Sequence, residues 1–235
     1  MRDDYPRLIA LASPKGGSGK TTATILLAGE FANAGLKTLI IDADPQASAS
    51  IWKRNSEAAG YRLDNITVER ITDKSDVADR VRHPQDEDIV LVDIQGTAND
   101  TLSAAAAFAD LVLIPARGHV FDCEQAVPVV RFLSALGGRR RTIPYRILFN
   151  AIETIEKETA AFHLAMNFVR QNKLEVLKTP LLSRPTFRAV TSGGGTLYEM
   201  KGDPRAIEKA RTNTRLLAAE ITEVLKELEA LEVAQ

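Results

Sequence analysis

Unbroken apolar runs recur along the chain at Leu8–Ala12, Leu39–Ile41, Ile89–Val92, Leu111–Ile114 and Ile147–Phe149. Runs of three to five apolar residues without alternation predict strands covered on both faces, as in a parallel sheet. Between them lie longer stretches with helical spacing: 21–34, 47–60 with Trp52 as its one large apolar residue, 75–83, the alanine-rich 99–109, 127–136 after a proline start, and 155–171. Ile66–Ile71 alternates like a short outer strand, and Val176–Pro180 reads as a last short strand. Residues 216–231 form an amphipathic helix expected to pack on the sheet. Strand and helix alternate throughout, which predicts an α/β fold: one doubly wound, mainly parallel sheet flanked by helices, with ligands at the strand ends.

The first strand runs directly into Pro14-Lys15-Gly16-Gly17-Ser18-Gly19-Lys20-Thr21-Thr22 and then into a helix. Glycines let successive backbone N–H groups turn inward, and the helix N-terminus adds its own, so the stretch suits phosphate oxygens. Lys20 is placed to reach the outer phosphates and the Thr21 hydroxyl to ligate Mg²⁺. A plain glycine turn joining strand to helix is the alternative. Two further strands end in acid: Asp42-Ala43-Asp44-Pro45-Gln46 after the second apolar run, and Asp93 after Ile89–Val92, the Walker B pattern. Strand-end caps are the plainer reading of Asp42 and Asp44.

The phosphate loop lacks the first glycine of Gly-x-x-x-x-Gly-Lys-Thr, since Pro14 stands there, and it carries a second lysine, Lys15. In this it resembles the deviant Walker A motif of the ParA/MinD ATPases. That resemblance covers essentially the whole chain and is strongest before Pro115. It implies ATP and Mg²⁺ as cofactors, held by Gly16, Gly17, Ser18, Gly19, Lys20, Thr21 and Thr22, with Thr21, Asp42 and Asp93 toward the metal. It further implies that Lys15 acts across a dimer interface, that Asp44 orients the attacking water, that Gly96 donates to the γ-phosphate, and that Asn150 reads the adenine edge. Ile94-Gln95-Gly96 replaces the Thr-Pro-Pro common in the family. A ParB-like or other activating partner is expected to stimulate slow ATP hydrolysis. The branch serving plasmid maintenance and DNA transfer is the nearer match.

Composition narrows the reading. The 235 residues are 45% hydrophobic, enough for one domain with a sizeable core. No helix-turn-helix region is expected ahead of the first strand. There is no membrane-length apolar run and no leader-like start, so the chain is expected in the cytoplasm, associated with the nucleoid. The single cysteine, Cys123, excludes an internal disulfide and argues against a bridging-cluster reductase of the nitrogenase iron-protein type. Net charge is −1, yet residues 182–215 hold seven cations against Glu199, Asp203 and Glu208. Arg184, Arg188, Lys209, Arg211 and Arg215 are therefore candidates for non-specific DNA contact, with a solvated face as the alternative. Three arginines, Arg139–Arg141, read as a solvated basic turn. The tail carries Glu220, Glu223, Glu227 and Glu229 against Lys226, a balance that anionic lipid repels, so a MinD-type membrane role is the weaker alternative. A small-molecule ligase of the dethiobiotin synthetase type is another; it should turn over without DNA or partner protein.

Overall fold

A computed structural model describes residues 6–14, 16–95, 100–138 and 142–233. Six strands, β1 (Arg7–Ser13), β2 (Thr38–Asp42), β3 (Ile66–Arg70), β4 (Ile89–Gln95), β5 (Leu111–Ala116) and β6 (Tyr145–Phe149), form one sheet in the order β3-β2-β4-β1-β5-β6. Every pairing is parallel. Between and after the strands come α1 (Lys20–Asn33), α2 (Ser48–Ala58), α3 (Lys74–Arg82), α4 (Asp100–Ala106), α5 (Val120–Gly137), α6 (Ala160–Gln171), α7 (Pro185–Gly193) and α8 (Pro204–Val233).

The unbroken apolar runs follow from this layering. Alternate side chains of one strand enter two different cores, so both sets must be apolar. Ile9, Leu11, Ile40, Leu91 and Leu113 share a core with α1, α2, α7 and α8. Ala10, Ala12, Leu39, Ile41, Val90, Val92, Val112 and Ile114 share the other with α3, α4 and α5. From central β1 the chain passes to β2 on one side and returns through β4 to β5 on the other. The carboxyl ends of β1, β2 and β4 thus lie side by side, where open parallel sheets hold ligands.

Four expectations change. The helix expected at 127–136 starts at Val120, with Pro128 inside it. The 155–171 helix divides into a 3-10 turn, Thr154–Glu158, and α6, because Thr159 caps α6 by accepting from the Phe162 N–H. Val176–Pro180 is no seventh strand: it touches the sheet edge through one isolated bridge, from Val176 to Ile147 of β6. The Lys178 and Thr179 N–H groups donate instead to the Glu220 carboxylate at 2.7 and 2.8 Å, and Pro180 has no N–H to offer. Finally, the C-terminal helix begins at Pro204 and packs against α1 and α7 more than on the strands that its apolar stripe suggested.

One contact fixes α2 to the segment before α8. The Trp52 indole donates to the Gly195 carbonyl at 3.1 Å, and the Gly195 N–H donates to the Ser56 hydroxyl at 2.8 Å. At neighbouring Gly194 the backbone has φ +86°, and a Cβ would stand 2.6 Å from the Ser56 Cα. Only glycine permits so close an approach.

Candidate nucleotide site

The phosphate loop ends at Gly19, the N-cap of α1, with φ 87°. No side chain caps this helix and its first turn holds no acid. The N-terminal N–H groups and the positive end of the helix dipole therefore face the loop, an arrangement suited to an anion. Lys20 is 5% exposed, and its ammonium stands 3.9 Å from an Asp44 carboxylate oxygen. Gly16 and Gly17 are exposed, Ser18 is buried, and the Ser18 hydroxyl has no hydrogen-bond partner among the described residues.

Parallel pairing of β2 with β4 sets Asp42 directly beside Asp93. Both are fully buried. One oxygen of Asp42 accepts from the Ser50 N–H and hydroxyl, each at 2.7 Å. One oxygen of Asp93 accepts from the Thr21 hydroxyl at 2.5 Å. The second oxygen of each carboxylate is buried with no hydrogen-bond partner among the described residues, and buried polar atoms rarely remain so. Burial raises the Asp93 carboxyl to about 6, aided by Asp42 and Asp44 and opposed by Thr21 and Lys20. Two orphaned carboxylate oxygens beside a threonine hydroxyl make a donor set of hard oxygens, which fits Mg²⁺. Among the described residues no three His, Cys, Asp or Glu side chains converge into an all-protein metal cage. Magnesium does not need one, because it keeps several waters and takes one or two carboxylates plus substrate phosphate.

Asp44 lies in the turn after β2. Its carboxylate accepts from the Gln46 N–H and its carbonyl from the Ala47 N–H. Ala47 then takes a left-handed φ of 53° to start α2. A cleft of 360 Å³ opens beside the loop, lined among others by Gly17, Gly19, Thr22, Arg117, Asn150 and Arg188. Asn150 ends β6 and is 5% exposed. Its amide nitrogen donates to the Ser18 carbonyl at 2.7 Å and its oxygen accepts from the Ala151 N–H at 2.8 Å.

Thus Gly16, Gly17, Ser18, Gly19, Lys20, Thr21, Thr22, Asp42, Asp44, Asp93 and Asn150 all meet at one end of the sheet. Lys15, Gly96 and Arg139–Arg141 lie outside the described residues. The basic segment divides. Lys209 lines a 670 Å³ groove with Lys178 and Arg205, Arg188 faces the nucleotide cleft, and Arg184 borders both. Arg211 donates to the Leu197 carbonyl at 2.9 Å and lies over the Tyr198 ring; exposed Arg215 stands 3.7 Å from Glu30. Sequence reasoning missed Ser50, and it placed Arg117 on the ligand side of the sheet as a solvated loop residue without a role. Ser50 had a signal, a hydroxyl in the first turn of the helix that follows the acidic strand end. Arg117 had only its place after β5, and it reaches the Gly17 carbonyl at 3.4 Å. Cys123 is buried, and burial pushes its thiol up to about 11, so it is unreactive.

Residues 9–197 match the family model for the CobQ/CobB/MinD/ParA nucleotide binding domain. Protein ParA of Rhizobium radiobacter is 29% identical over 225 residues, covering 93% of this chain and 99% of its own. Protein virC1 of Rhizobium rhizogenes is 27% identical over 235 residues, covering 96% and 99%. In fold, the chain is similar to the septum site-determining protein MinD of Pyrococcus horikoshii, complexed with Mg-ADP, at a TM-score of 0.69 and 17% identity, with 92% and 96% covered. Since that family model matches well over half of its residues, the chain belongs to the CobQ/CobB/MinD/ParA family of nucleotide-binding proteins.

Proposed function

We propose that the chain is a ParA-type ATPase that dimerises on ATP, binds DNA without sequence preference, and is released when a ParB-like or other partner stimulates hydrolysis. The observation that carries the nucleotide part is the pair of orphaned oxygens on Asp42 and Asp93 beside Thr21 and the uncapped start of α1. Thr21, Asp42 and Asp93 would hold Mg²⁺, which would supply positive charge to offset the charge of the phosphates. The chain's own groups do the rest. The loop N–H groups from Gly16 to Thr22 bind phosphate, and Lys20 exchanges Asp44 for the phosphates. Asp44, so released, orients the attacking water. Lys15 completes the site of the second copy. Thr22 and the cleft seat the rest of the nucleotide.

The DNA part draws support from the near end-to-end likeness to ParA and virC1 proteins and from the basic segment. Arg188, Lys209 and Arg215 are exposed, and Arg184 and Arg211 half-buried. Among the described residues no helix is long and apolar enough to cross a membrane. The cargo that this cycle partitions or positions is a plasmid, a chromosome, transferred DNA or a protein cluster.

Two measurements test this. Asp44→Ala should keep ATP binding and hold the dimer while turnover falls by about 100-fold or more, the scale of a lost positioning group. Unchanged turnover removes Asp44 from the mechanism. A mobility-shift titration on unrelated duplexes, with ATP, ADP or no nucleotide, should show binding with ATP alone and steep weakening with salt. In an Arg188/Lys209/Arg215 triple-alanine variant, every cation removed from a DNA phosphate should flatten the log–log salt slope by about one. Equal binding with ADP, or an unaltered slope, would refute DNA as the ligand of these residues.

A further inference from the structure

In this protein the base-reading position is already engaged. Asn150 stands at the carboxyl end of β6, where the resemblance gives it the adenine edge, and each polar atom of its carboxamide already bonds main chain, leaving one N–H and one acceptor site over. The nitrogen donates to the Ser18 carbonyl at 2.7 Å and the oxygen accepts from Ala151 at 2.8 Å. The Ser18 bond is buried and spans 132 residues, joining the sheet's edge strand to the phosphate loop. The fit is also steric. A Cβ on Gly19 would fall 1.8 Å from the Asn150 nitrogen, so the loop's last glycine is shaped around this side chain as well as around phosphate. Ala151, which supplies the second bond, holds a left-handed φ of 57°, a conformation that non-glycine residues take only when the surroundings impose it.

We infer that Asn150 is a positioning residue for the phosphate loop: one of its N–H groups fixes the Ser18–Gly19 backbone so that the loop N–H groups and Lys20 are preorganised for phosphate. The inference rests on the loop being a nucleotide-phosphate cradle.

The test compares a ligand with a base and one without. Titration calorimetry of the full chain in Mg²⁺ with ATP, GTP and inorganic tripolyphosphate is run on the wild type, Asn150→Ala and Asn150→Asp. The aspartate keeps the acceptor toward Ala151 and the shape against Gly19 but loses the donor to Ser18. It also guards against an alanine variant that folds poorly. A brace predicts that both variants lose about tenfold or more in affinity for tripolyphosphate, which has no base, as well as for ATP and GTP. Retained tripolyphosphate affinity with weakened ATP binding would show that Asn150 serves the base alone and overturn the inference. A wild type that binds neither ATP nor tripolyphosphate overturns the cradle reading, and this inference with it.

Discussion

Lys20→Ala is expected to eliminate ATP binding, with affinity falling by at least about 100-fold, whereas Lys15→Ala should bind ATP and fail to dimerise. The contrast comes from where charge sits. Lys20 is buried among three aspartates, 3.9 Å from Asp44 and close enough to Asp93 to pull its proton affinity down. Without that ammonium, Asp42, Asp44 and Asp93 remain as uncompensated negative charge under the place an ATP polyphosphate must enter. Removing one partner of a buried charge pair costs about 2–5 kcal/mol through the charge left behind, and here the incoming ligand carries the same sign. Lys15 precedes the cradle, and its proposed work is in the neighbouring subunit's site. Calorimetry with ATP, and light scattering with and without it, separate the two. A Lys20→Ala protein that binds ATP normally would remove the loop from the site, and a Lys15→Ala protein that still dimerises on ATP would remove Lys15 from the interface.

Those charges were legible in the sequence because each sits at the end of an apolar run whose burial fixes its position. Strand identity, the strand-end acids and the glycine loop are local patterns, and the sheet only had to bring them together. What the sequence concealed is held by distant partners. Val176–Pro180 has strand-like residues, but Glu220, more than 40 positions later, captures two of its N–H groups. The start of α5 was hidden because Pro128, which normally opens a helix, lies well inside this one. The basic segment counts as one patch along the chain, yet α8 turns Lys209 toward a groove and Arg211 onto Tyr198. Asn150 was placed correctly at a strand end, but its two main-chain bonds depend on how closely β6 approaches the phosphate loop.

Asp93→Asn should make the nucleotide-free protein more stable at neutral pH while removing its Mg²⁺-dependent ATP binding. The Asp93 carboxyl is fully buried, and burial lifts it from 3.8 to about 6. Between those two values the folded chain holds a proton that the unfolded chain has released. Stability therefore falls as pH rises through that window, and above about 6 the full cost of a buried carboxylate is present. A rise of this size corresponds to something on the order of 3 kcal/mol. The asparagine carries no charge at any pH, and its side-chain oxygen can still accept from the Thr21 hydroxyl, so the cost is relieved without orphaning Thr21. In thermal melts without nucleotide or Mg²⁺, the wild type should lose stability from pH 5 to pH 7.5 relative to the variant, by several degrees in Tm. Adding ATP and Mg²⁺ should raise the wild-type Tm and leave the variant's unchanged, since binding to the folded state stabilises only where the site remains. A variant that melts below the wild type at pH 7.5 without ligand would show that the buried Asp93 charge is already compensated. The strand-end aspartates would then owe their burial to the fold alone. The expected pattern would instead mean that the protein carries an unfavourable charge at rest because that charge is needed once nucleotide arrives.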